Sequence, residues 1–522
     1  MKDVLADLLH IPSGRIRSLH ILKRSIDARH DVRILYTVEI SADGEEELLK
    51  IIREKEGISA EIVMPPGPPF VLHKKSFYKR PVVVGFGPAG IFAALLLARA
   101  GAEPIVLERG RPMQERVRDV STFWSKGVFR SESNVCFGEG GAGTFSDGKL
   151  TTGKRSAMIP WLLSEFVKAG APSEILYEAY PHIGTDRLRG VIVALRKEIE
   201  SLGGEVRFGS RMTGILVKNG RLCGLGLENG EKIETDRLVL ATGHGAEDTY
   251  AVLERAGVAM EQKPLAVGVR IEHPQGRLDR VQYGRWAGHP RLGPSRYRLT
   301  YRDRKQDRGV YTFCMCPGGQ VIAANSQPGR IVTNGMSRFG RASGYADSGL
   351  VVSVRREDFS GRGPLAGLAF LRKWEEAAFR AGGENYSAPA QRVTDFLRRT
   401  VSSSLPETTY RPGVYSCDLH AVLPDFVTTG LKGALRVWGK KIPGFISEDG
   451  ILIGVETRTS SPVRLVRGKD YASVTVRGLY PLGEGAGYAG GIVSSALDGV
   501  YCVLSLLGME GLECHGRRRE RP

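Results

Sequence analysis

The chain has 522 residues, which suggests about two to four domains of ordinary size. Hydrophobic residues make up 42% and charged residues 25%, which excludes a disordered chain, a collagen-like fibre and a small disulfide scaffold. The net charge of +17 favours anionic partners such as nucleotides and acidic metabolites. Nucleic acid is disfavoured, because no nucleic-acid-binding module is recognisable and the one tight basic run, RRRER near the C-terminus, is typical of a solvated end.

The cysteine count and the hydrophobic segments indicate the compartment. Seven cysteines, a low and odd number, fit reduced thiols better than a disulfide framework. The N-terminus MKDVLADLLHIPSG lacks the apolar centre of a signal peptide. The most apolar long stretch, 488–508, contains Asp498 and four glycines, which favours a buried helix over a membrane span. We therefore predict a cytoplasmic protein with no membrane span.

Residues 1–78 predict a small α+β module. Helical spacing in VLADLLHI is followed by two strand-like runs, IRSLHILKRSI and VRILYTVEI. The charged stretch EEELLKIIREKEG then reads as a helix, and MPPGPPF marks the exit. The module carries no recognisable chemistry, which favours a packing or partner-docking role.

The pattern changes after residue 78 into a strand, a glycine turn, a helix and a second strand within about 30 residues. Val82–Val84 reads as a strand buried on both faces. Residues 91–100 form an apolar helix rich in Ala and Leu, and 105–107 form the next buried strand. This is the length and order of a βαβ unit.

The turn of this unit has the spacing of a dinucleotide-binding site. Gly85 permits a tight turn, Gly87 lets a diphosphate approach the backbone, and Gly90 lets the helix pack closely on the strand. The helix N-terminus offers free N–H groups to the phosphates. Glu108, at the end of the second strand, can accept hydrogen bonds from ribose hydroxyls. The same spacing serves FAD and NAD(P), so it leaves the dinucleotide open.

Further segments resemble FAD-binding flavoproteins of the glutathione-reductase and hydroxylase type. The turn GFGPAG has their Pro-Ala pair, and the strand in TDRLVLATGHG ends in an A-T-G turn that passes beside FAD in those proteins. GLYPLGEGAGYAGGIVSSALDG resembles their second FAD motif, with Gly483-Glu484 in place of Gly-Asp. Glu is longer than Asp but still accepts a hydrogen bond from a ribityl hydroxyl. Apart from the resemblance, a helix starting at Ile492 would present its positive end to a reduced flavin.

A glycine-rich loop, NVCFGEGGAGTFSDGKLTTG at 134–153, would let main chain lie flat against a ligand. Together with YTFCMCPGGQV (311–321), GVETRTSSPVRL (454–465) and KRSIDAR (23–29), it resembles a bacterial family of uncharacterised FAD-dependent dehydrogenases, itself similar to geranylgeranyl-reductase-like flavoproteins. The likeness extends over nearly the whole chain. It implies FAD as cofactor, and since no His or Cys stands at a defensible attachment point, we predict non-covalent binding.

The strand EVRFGSRMTGILV at 205–217 matches one that passes the adenine in related flavoproteins, which places this contact at Arg211-Met212. Asn219-Gly220 then predicts a hairpin turn. Only one dinucleotide fingerprint is recognisable, so we predict no dedicated nicotinamide domain. NAD(P)H remains open as a reductant that reaches the flavin directly.

These segments predict an α/β fold with three domains. A Rossmann-like FAD-binding domain is discontinuous over 79–264 and 431–522. An inserted α+β substrate or cap domain spans 265–430 and contains a helix at FLRKWEEAAFRAGG, and the small α+β domain at 1–78 precedes both. The boundary between insert and FAD domain is the expected substrate pocket. The predicted cofactor-binding residues are Gly85, Gly87, Pro88, Ala89, Gly90, Glu108, Arg109, Gly140, Gly141, Gly143, Thr144, Met212, Ala241, Thr242, Gly243, Gly483, Glu484, Gly490, Gly491 and Ile492.

Candidates for catalysis are Cys316, Glu456 and Arg458. Cys314 and Cys316 would share one face of a strand. They fit buried small residues, a thiol working beside the flavin, a redox dithiol or half of a metal site, although redox pairs usually have the spacing C-x-x-C; we predict no metal site. Arg458 suits an anionic substrate and Glu456 suits proton transfer, although both also fit a turn that merely positions the flavin. His244 follows the A-T-G turn, where a structural hydrogen bond and proton transfer are both open.

The leading hypothesis is an FAD-dependent oxidoreductase that transfers hydride between a small substrate, with an anion favoured, and flavin N5. One alternative is an FAD-dependent monooxygenase or hydroxylase that uses O₂ after reduction. A second, of another class, is a flavin-containing accessory protein that associates with nucleic acid through the basic surface. The substrate, the electron donor and the oligomeric state are not evident from the sequence.

Overall fold

A computed structural model describes residues 1–53, 58–62 and 70–509. The chain divides into two compact units, Met1–Val71 with Pro172–Pro181, and Leu72–Ala171 with His182–Pro522. The described helices are α1 (Lys2–Leu9), α2 (Glu45–Arg53), α3 (Pro88–Arg99), α4 (Met113–Lys126), α5 (Ile159–Lys168), α6 (Thr185–Ser201), α7 (Glu247–Arg255), α8 (Gln275–Tyr283), α9 (Ala366–Ala381), α10 (Val393–Arg398), α11 (Asp425–Lys441) and α12 (Ile492–Leu506).

The described strands form one parallel sheet, one large mixed sheet and several small sheets. They are β1 (Ile16–Asp27), β2 (Arg33–Ala42), β3 (Val82–Val84), β4 (Ile105–Leu107), β5 (Glu205–Arg207), β6 (Met212–Lys218), β7 (Arg221–Leu227), β8 (Lys232–Glu234), β9 (Leu238–Leu240), β10 (Met260–Gln262), β11 (Leu265–Pro274), β12 (Thr300–Asp303), β13 (Arg308–Cys316), β14 (Gln320–Ala323), β15 (Thr333–Met336), β16 (Tyr345–Val354), β17 (Ala388–Arg392), β18 (Val414–Ser416), β19 (Ile451–Glu456), β20 (Val463–Leu465) and β21 (Leu479–Pro481).

The first unit has the predicted order of helix, strand, strand and helix. Strands β1 and β2 pair antiparallel, with Ile26 opposite Ile34. Helix α2 buries Leu48 and Ile52, four residues apart and therefore on one face. The segment 172–181 joins this unit through an ion pair of 2.6 Å between Arg24 and Glu178. The end of the predicted second helix, 54–57, and nearly all of MPPGPPF lie outside the described residues.

A five-stranded parallel sheet in the order β21-β9-β3-β4-β5 organises the dinucleotide-binding part of the second unit. Val84 lies between Leu107 and Leu240 in register, so the carboxyl ends of β3, β4 and β9 meet at one edge. Strands β3, β4 and β9 are buried throughout, as their continuous apolar sequences predict. This confirms the predicted Rossmann-like α/β fold.

Helix α3 packs on this sheet, and α12 packs against α3. Both have long apolar runs and are buried over most of their length. Their backbones approach so closely that a Cβ at Gly499 would lie 2.3 Å from the carbonyl oxygen of Ala89. The start of α12 at Ile492 is the predicted one.

The predicted continuous strand at 205–217 is wrong in its middle. Residues 205–207 form β5 of the parallel sheet, whereas 212–218 form β6 of a separate three-stranded sheet with β7 and β8. Gly209 adopts a φ of +62° between the two, a conformation that a strand cannot contain. The predicted hairpin turn at Asn219-Gly220 does join β6 to β7.

A seven-stranded sheet forms most of the remaining part, in the order β12-β13-β16-β11-β19-β17-β18. Helix α11 packs on it through a buried apolar stripe that includes Leu431, Leu435 and Trp438. Helix α9 corresponds to the predicted FLRKWEEAAFRAGG helix. The predicted domain boundaries at 78, 264 and 430 stay predictions.

Candidate functional site

A cavity of about 350 Å³ lies at the carboxyl edge of the parallel sheet. The residues that end or follow its strands line it, among them Val84, Leu107, Ala241 and Leu482. Because parallel strands bring their carboxyl ends to one edge, the turn at 85–90 and the bend at 483–491 converge here. Ligands of open α/β sheets bind at this edge.

Most of the predicted cofactor-binding residues line this cavity. Those that do are Gly85, Gly87, Pro88, Ala89, Glu108, Arg109, Gly141, Gly143, Met212, Ala241, Thr242, Gly243, Gly483, Glu484, Gly490, Gly491 and Ile492. Gly90, Gly140 and Thr144 do not. Gly140 lines a smaller neighbouring cavity with Ile192, and the hydroxyl of the fully buried Thr144 accepts a 3.3 Å hydrogen bond from Arg116.

The glycines at the cavity fall into two groups. Gly85 and Gly90 are required by the fold, since a Cβ would lie 2.4 Å from the carbonyl oxygen of Ala241 and 1.9 Å from that of Gly85, respectively. Gly87 has an ordinary φ of −87°, and its Cβ would meet only the Cα of Gly141, at 3.8 Å. Around Gly490, no described atom would lie within 4 Å of a Cβ. Packing within the chain therefore does not require glycine at 87 or 490. A ligand that lies close to the backbone at these positions would require it.

The two turns at the cavity are each fixed by a buried carboxylate. Glu108 accepts hydrogen bonds from the N–H groups of Phe86 (2.9 Å), Gly110 (2.8 Å) and Gly138 (2.9 Å). One lone pair of its Oε2 remains for a ligand hydroxyl, because among the described residues that oxygen accepts only the Phe86 hydrogen bond.

The bend at 483 depends on α12. The Asp498 carboxylate accepts a hydrogen bond of 2.7 Å from the Gly483 N–H and pairs with both terminal nitrogens of Arg467, at 3.0 and 2.6 Å. Asp498 and the Arg467 side chain are both buried. This buried pair holds the bend against the start of the helix.

Two helix N-termini open on the cavity. Gly87 precedes α3 and Gly491 precedes α12, and both line the cavity. The first N–H groups of a helix have no intrahelical acceptor, and the helix dipole makes this end positive. The cavity therefore has two sites that favour negatively charged groups.

Arg109 lies at the cavity rim, with its charge balanced by carboxylates. It donates to Glu132 at 2.7 and 2.9 Å and to Asp248 at 2.8 Å, and its guanidinium lies 4.2 Å from the ring centroid of Phe137. These contacts fix the side chain of Arg109 in the wall of the cavity. On the same side Ser210, Arg211 and Met212 line the cavity, at the predicted adenine segment.

Cys314 lines the cavity, whereas Cys316 is buried behind it. The ammonium of Lys149 lies 3.8 Å from the Cys314 Sγ and 3.6 Å from the Cys316 Sγ, and it also donates to the carbonyl of Met315. A hydrogen bond from the Cys316 thiol lowers the pKa of Cys314 well below its ordinary value, and Lys149 and Arg270 lower it further. The same hydrogen bond raises the pKa of Cys316.

Glu456 does not line the cavity. It pairs with the buried Arg270 at 2.9 Å, and Arg270 also pairs with Asp347. One buried cation thus serves two buried carboxylates. Burial raises the pKa of Glu456, and it raises the pKa of Asp347 to about 8 against the pull of Arg270.

Arg458 lines the cavity, but its charge is balanced. It donates to Glu375 at 2.8 and 3.0 Å and to Glu247 at 2.7 Å. His244 also lines the cavity, and its Nδ1 lies 3.3 Å from the Oε1 of Glu484. Both residues therefore have structural partners within the wall.

Two absences hold for the described residues. No group of three or more His, Cys, Asp or Glu side chains is arranged to hold a metal ion. No helix in the described part of the chain is both long and apolar enough to cross a membrane.

The amino-acid sequence matches known proteins in two ways. Residues 264–459 match the model of the FAD-dependent protein, C-terminal domain-like family, and residues 1–43 match a domain of unknown function. An uncharacterised protein of Clostridium beijerinckii is 49% identical over 496 residues, which cover 94% of this chain and 92% of that protein. The chain belongs to this family of FAD-dependent proteins. FAD is accordingly its cofactor.

Solved structures similar to this FAD-dependent protein are more distant. The L-proline dehydrogenase from P. horikoshii is 13% identical with a TM-score of 0.34, over 84% of this chain and 94% of that one. The glycerol-3-phosphate dehydrogenase from Bacillus halodurans complexed with FAD is 12% identical with a TM-score of 0.37, over 83% and 66%. Neither likeness is close enough to bear on the reaction of this chain.

Several residues of the FAD-dependent protein's cavity were not among the predicted site residues. They include Asp147, Lys149, Phe313, Cys314 and Asn334. Asp147 and Lys149 belong to the glycine-rich loop at 134–153, which was itself a signal. Phe313 and Asn334 come from β13 and β15, and their contribution depends on tertiary packing that the sequence pattern does not reveal.

Proposed function

We propose that the protein is an FAD-dependent oxidoreductase that transfers a hydride between a small substrate and the N5 atom of the flavin. The observation that carries the proposal is the pair Gly87 and Gly490. Both line one cavity, and neither is glycine because of packing within the chain. A cofactor that passes close to both backbones explains them, and FAD has the length to reach two such distant turns.

The residues at the cavity fit FAD in order along the molecule. Glu108 would accept a hydrogen bond from the adenosine ribose, and the backbone at Met212 would contact the adenine. The diphosphate would lie against Gly87 at the N-terminus of α3, where backbone N–H groups and the helix dipole favour its charge. The loop residues Gly141 and Gly143 would close over it.

The flavin would lie at the second bend. The Gly490–Ile492 segment offers the N-terminus of α12, which stabilises negative charge that the reduced ring acquires. Glu484 would accept a hydrogen bond from a ribityl hydroxyl, and its contact with His244 would keep that ring in place. When bound, FAD supplies the hydride chemistry, and the chain supplies orientation and electrostatics.

The substrate would enter beside the wall made by β13, β15 and the loop at 134–153. Arg458 is already paired with Glu247 and Glu375, so we propose that it holds the wall rather than a substrate anion. Lys149 and Asn334 then offer the polar contacts on that side.

A metabolite screen under argon that follows the loss of flavin absorbance tests the proposal. A substrate that bleaches the flavin, or NADH or NADPH that does so, is the expected result. Re-oxidation by O₂ that consumes oxygen only with substrate present would instead identify a hydroxylase. Folded protein that takes up no FAD, even after refolding with the cofactor, would contradict both.

A further inference from the structure

The cavity wall contains two thiols and one ammonium group in direct contact. Cys314 faces the cavity, Cys316 lies behind it, and Lys149 touches both sulfurs at 3.8 and 3.6 Å. The Cys316 Sγ also lies 3.3 Å from the carbonyl oxygen of Cys314. The mechanism proposed above uses none of these sulfur atoms.

The backbone at the two thiols departs from that of a regular strand. In a regular strand, residues i and i+2 are about 6.6 Å apart along the chain. Here the pairing of β13 with β16 shifts register between Phe313 and Cys316, and Cys314 adopts a left-handed φ of +45°. A bulge of this kind re-aims side chains, and here both sulfurs contact the ammonium of Lys149.

The charges around the thiols favour one ionised sulfur. The cations Lys149 and Arg270 both favour a thiolate at Cys314. The paired arrangement, with one thiolate at the cavity and one protonated thiol behind it, is the state from which a disulfide forms.

The other cysteine at the cavity has a different environment. Cys136 lines the cavity, its Sγ lies 3.6 Å from the carbonyl of Ala324, and burial raises its pKa to about 11. Cys417, away from the cavity, also has its pKa raised to about 11 by burial. Unlike Cys136 and Cys417, Cys314 has both a second thiol nearby and a cation in contact with its sulfur.

We propose that Cys314 and Cys316 form a redox dithiol that exchanges an electron pair with FAD. The Cys314 thiolate and the Cys316 thiol give up two electrons and one proton to oxidised FAD, and the S–S bond forms between them. In the reverse direction the disulfide accepts the same two electrons and one proton from reduced FAD, and the S–S bond breaks. This inference rests on the proposed function, since it requires FAD in the cavity.

An anaerobic dithionite titration of the air-oxidised holoenzyme tests the inference. The wild-type protein should take up four electrons per FAD, two for the flavin and two for the disulfide. Cys314→Ser and Cys316→Ser should each take up two. Cys417→Ser is the matched control, which removes a half-buried thiol away from the cavity and should retain four.

A second measurement reads the thiols directly and does not depend on the variants' folding. Cleavage after Arg308 and Arg330 releases peptide 309–330, which contains both cysteines and no other. After alkylation under denaturing conditions, the peptide from oxidised holoenzyme should carry no label and weigh two hydrogens less. The peptide from the fully titrated enzyme should carry two labels.

The outcomes separate the two proposals. Wild-type protein that binds FAD, takes up only two electrons and yields doubly labelled peptide 309–330 in air would overturn the dithiol and leave the proposed function standing. Protein that binds no FAD, or whose FAD accepts no electrons, would overturn the proposed function and the dithiol with it.

Discussion

At the residue scale, the glycines show the site most clearly, because some are required by backbone packing and others only by space for a ligand. Gly85 and Gly90 lie so close to other backbone atoms of the chain that a side chain at either position would clash. Gly87 and Gly490 are free of that constraint and face the cavity. The sequence spacing predicts all four positions, but only the coordinates separate the glycines that the fold needs from those that the cofactor needs.

Gly87→Ala should weaken FAD binding without destabilising the fold. The added methyl has room in the protein, since its nearest neighbour would be the Gly141 Cα at 3.8 Å, but it would occupy the path of the diphosphate. We expect a loss of affinity of roughly tenfold or more, about 1.4 kcal/mol, measured by FAD titration of the apoprotein. Gly190→Ala, whose Cβ would also have free space, is the control and should bind FAD normally. Equal affinity for the two variants would contradict the assignment.

Cys316, rather than Cys314, was the predicted catalytic cysteine. That choice treats the Cys-Met-Cys segment as a regular strand, in which the two thiols are equivalent. The bulge and the left-handed Cys314 place Cys314 on the wall and Cys316 behind it. Neither the bulge nor the approach of Lys149 from the loop at 134–153 leaves a periodic signal in the sequence.

Lys149→Gln should raise the pH at which Cys314 reacts with iodoacetamide. The neutral amide no longer favours the thiolate, and an opposite charge at this range typically changes a pKa by one unit or more. The label on peptide 309–330, followed against pH, gives the profile. Lys154→Gln removes an exposed lysine directly after the loop at 134–153 and should leave the profile unchanged. A profile that does not move in Lys149→Gln would show that this cation does not stabilise the thiolate.

Asp347→Asn should reduce the loss of stability between pH 6.5 and pH 8. The pKa of Asp347 is raised to about 8 in the folded state, so the folded protein holds a proton that the unfolded chain has released. Its contribution to stability is therefore lost as the pH rises, by about 1.5 kcal/mol over this window. The half-buried His182 and the buried His273, whose pKa values are lowered to about 4, are present in both proteins, so their effect cancels in the comparison. Urea unfolding at both pH values measures the change in the free energy of unfolding. An identical pH dependence in wild type and variant would contradict the prediction.

At the element scale, β3, β4 and β9 were predictable because each is a short run of apolar residues, and the start of α12 was predictable because it follows Gly490-Gly491. Residues 82–84, 105–107 and 238–240 are strands as predicted, since only a strand buried on both faces suits such runs. The break between β5 and β6 was not predicted, although Gly209-Ser210 interrupts the apolar residues of 205–217. The order of the seven-stranded sheet depends on long-range pairing, about which local patterns carry no information.

Asp498→Asn should destabilise the second unit and loosen the bend at Gly483. The substitution leaves the buried Arg467 without its ionic partner, which typically costs about 3–5 kcal/mol. The midpoint temperature of thermal unfolding and the affinity for FAD should both fall. Ser505→Ala, near the other end of α12, is the control and should leave both nearly unchanged. A stable variant with wild-type affinity would show that this pair does not hold the bend.

At the scale of the whole molecule, the cavity exists because one sheet collects segments about 400 residues apart in the chain. Strand β21 pairs with β9 and β9 with β3, so Gly483 lies against Ala89. The resemblance of the two motifs to those of FAD-binding flavoproteins predicted this convergence. The composition of the opposite wall, from β13, β15 and the 134–153 loop, follows only from the packed structure.

A crystal structure of the holoenzyme tests the central claim most directly. The account predicts one FAD in this cavity, with its adenosine at Glu108 and Met212, its diphosphate at Gly87, and its flavin between Gly490 and Cys314. FAD bound elsewhere on the chain, or bound here with its diphosphate away from Gly87, would contradict it.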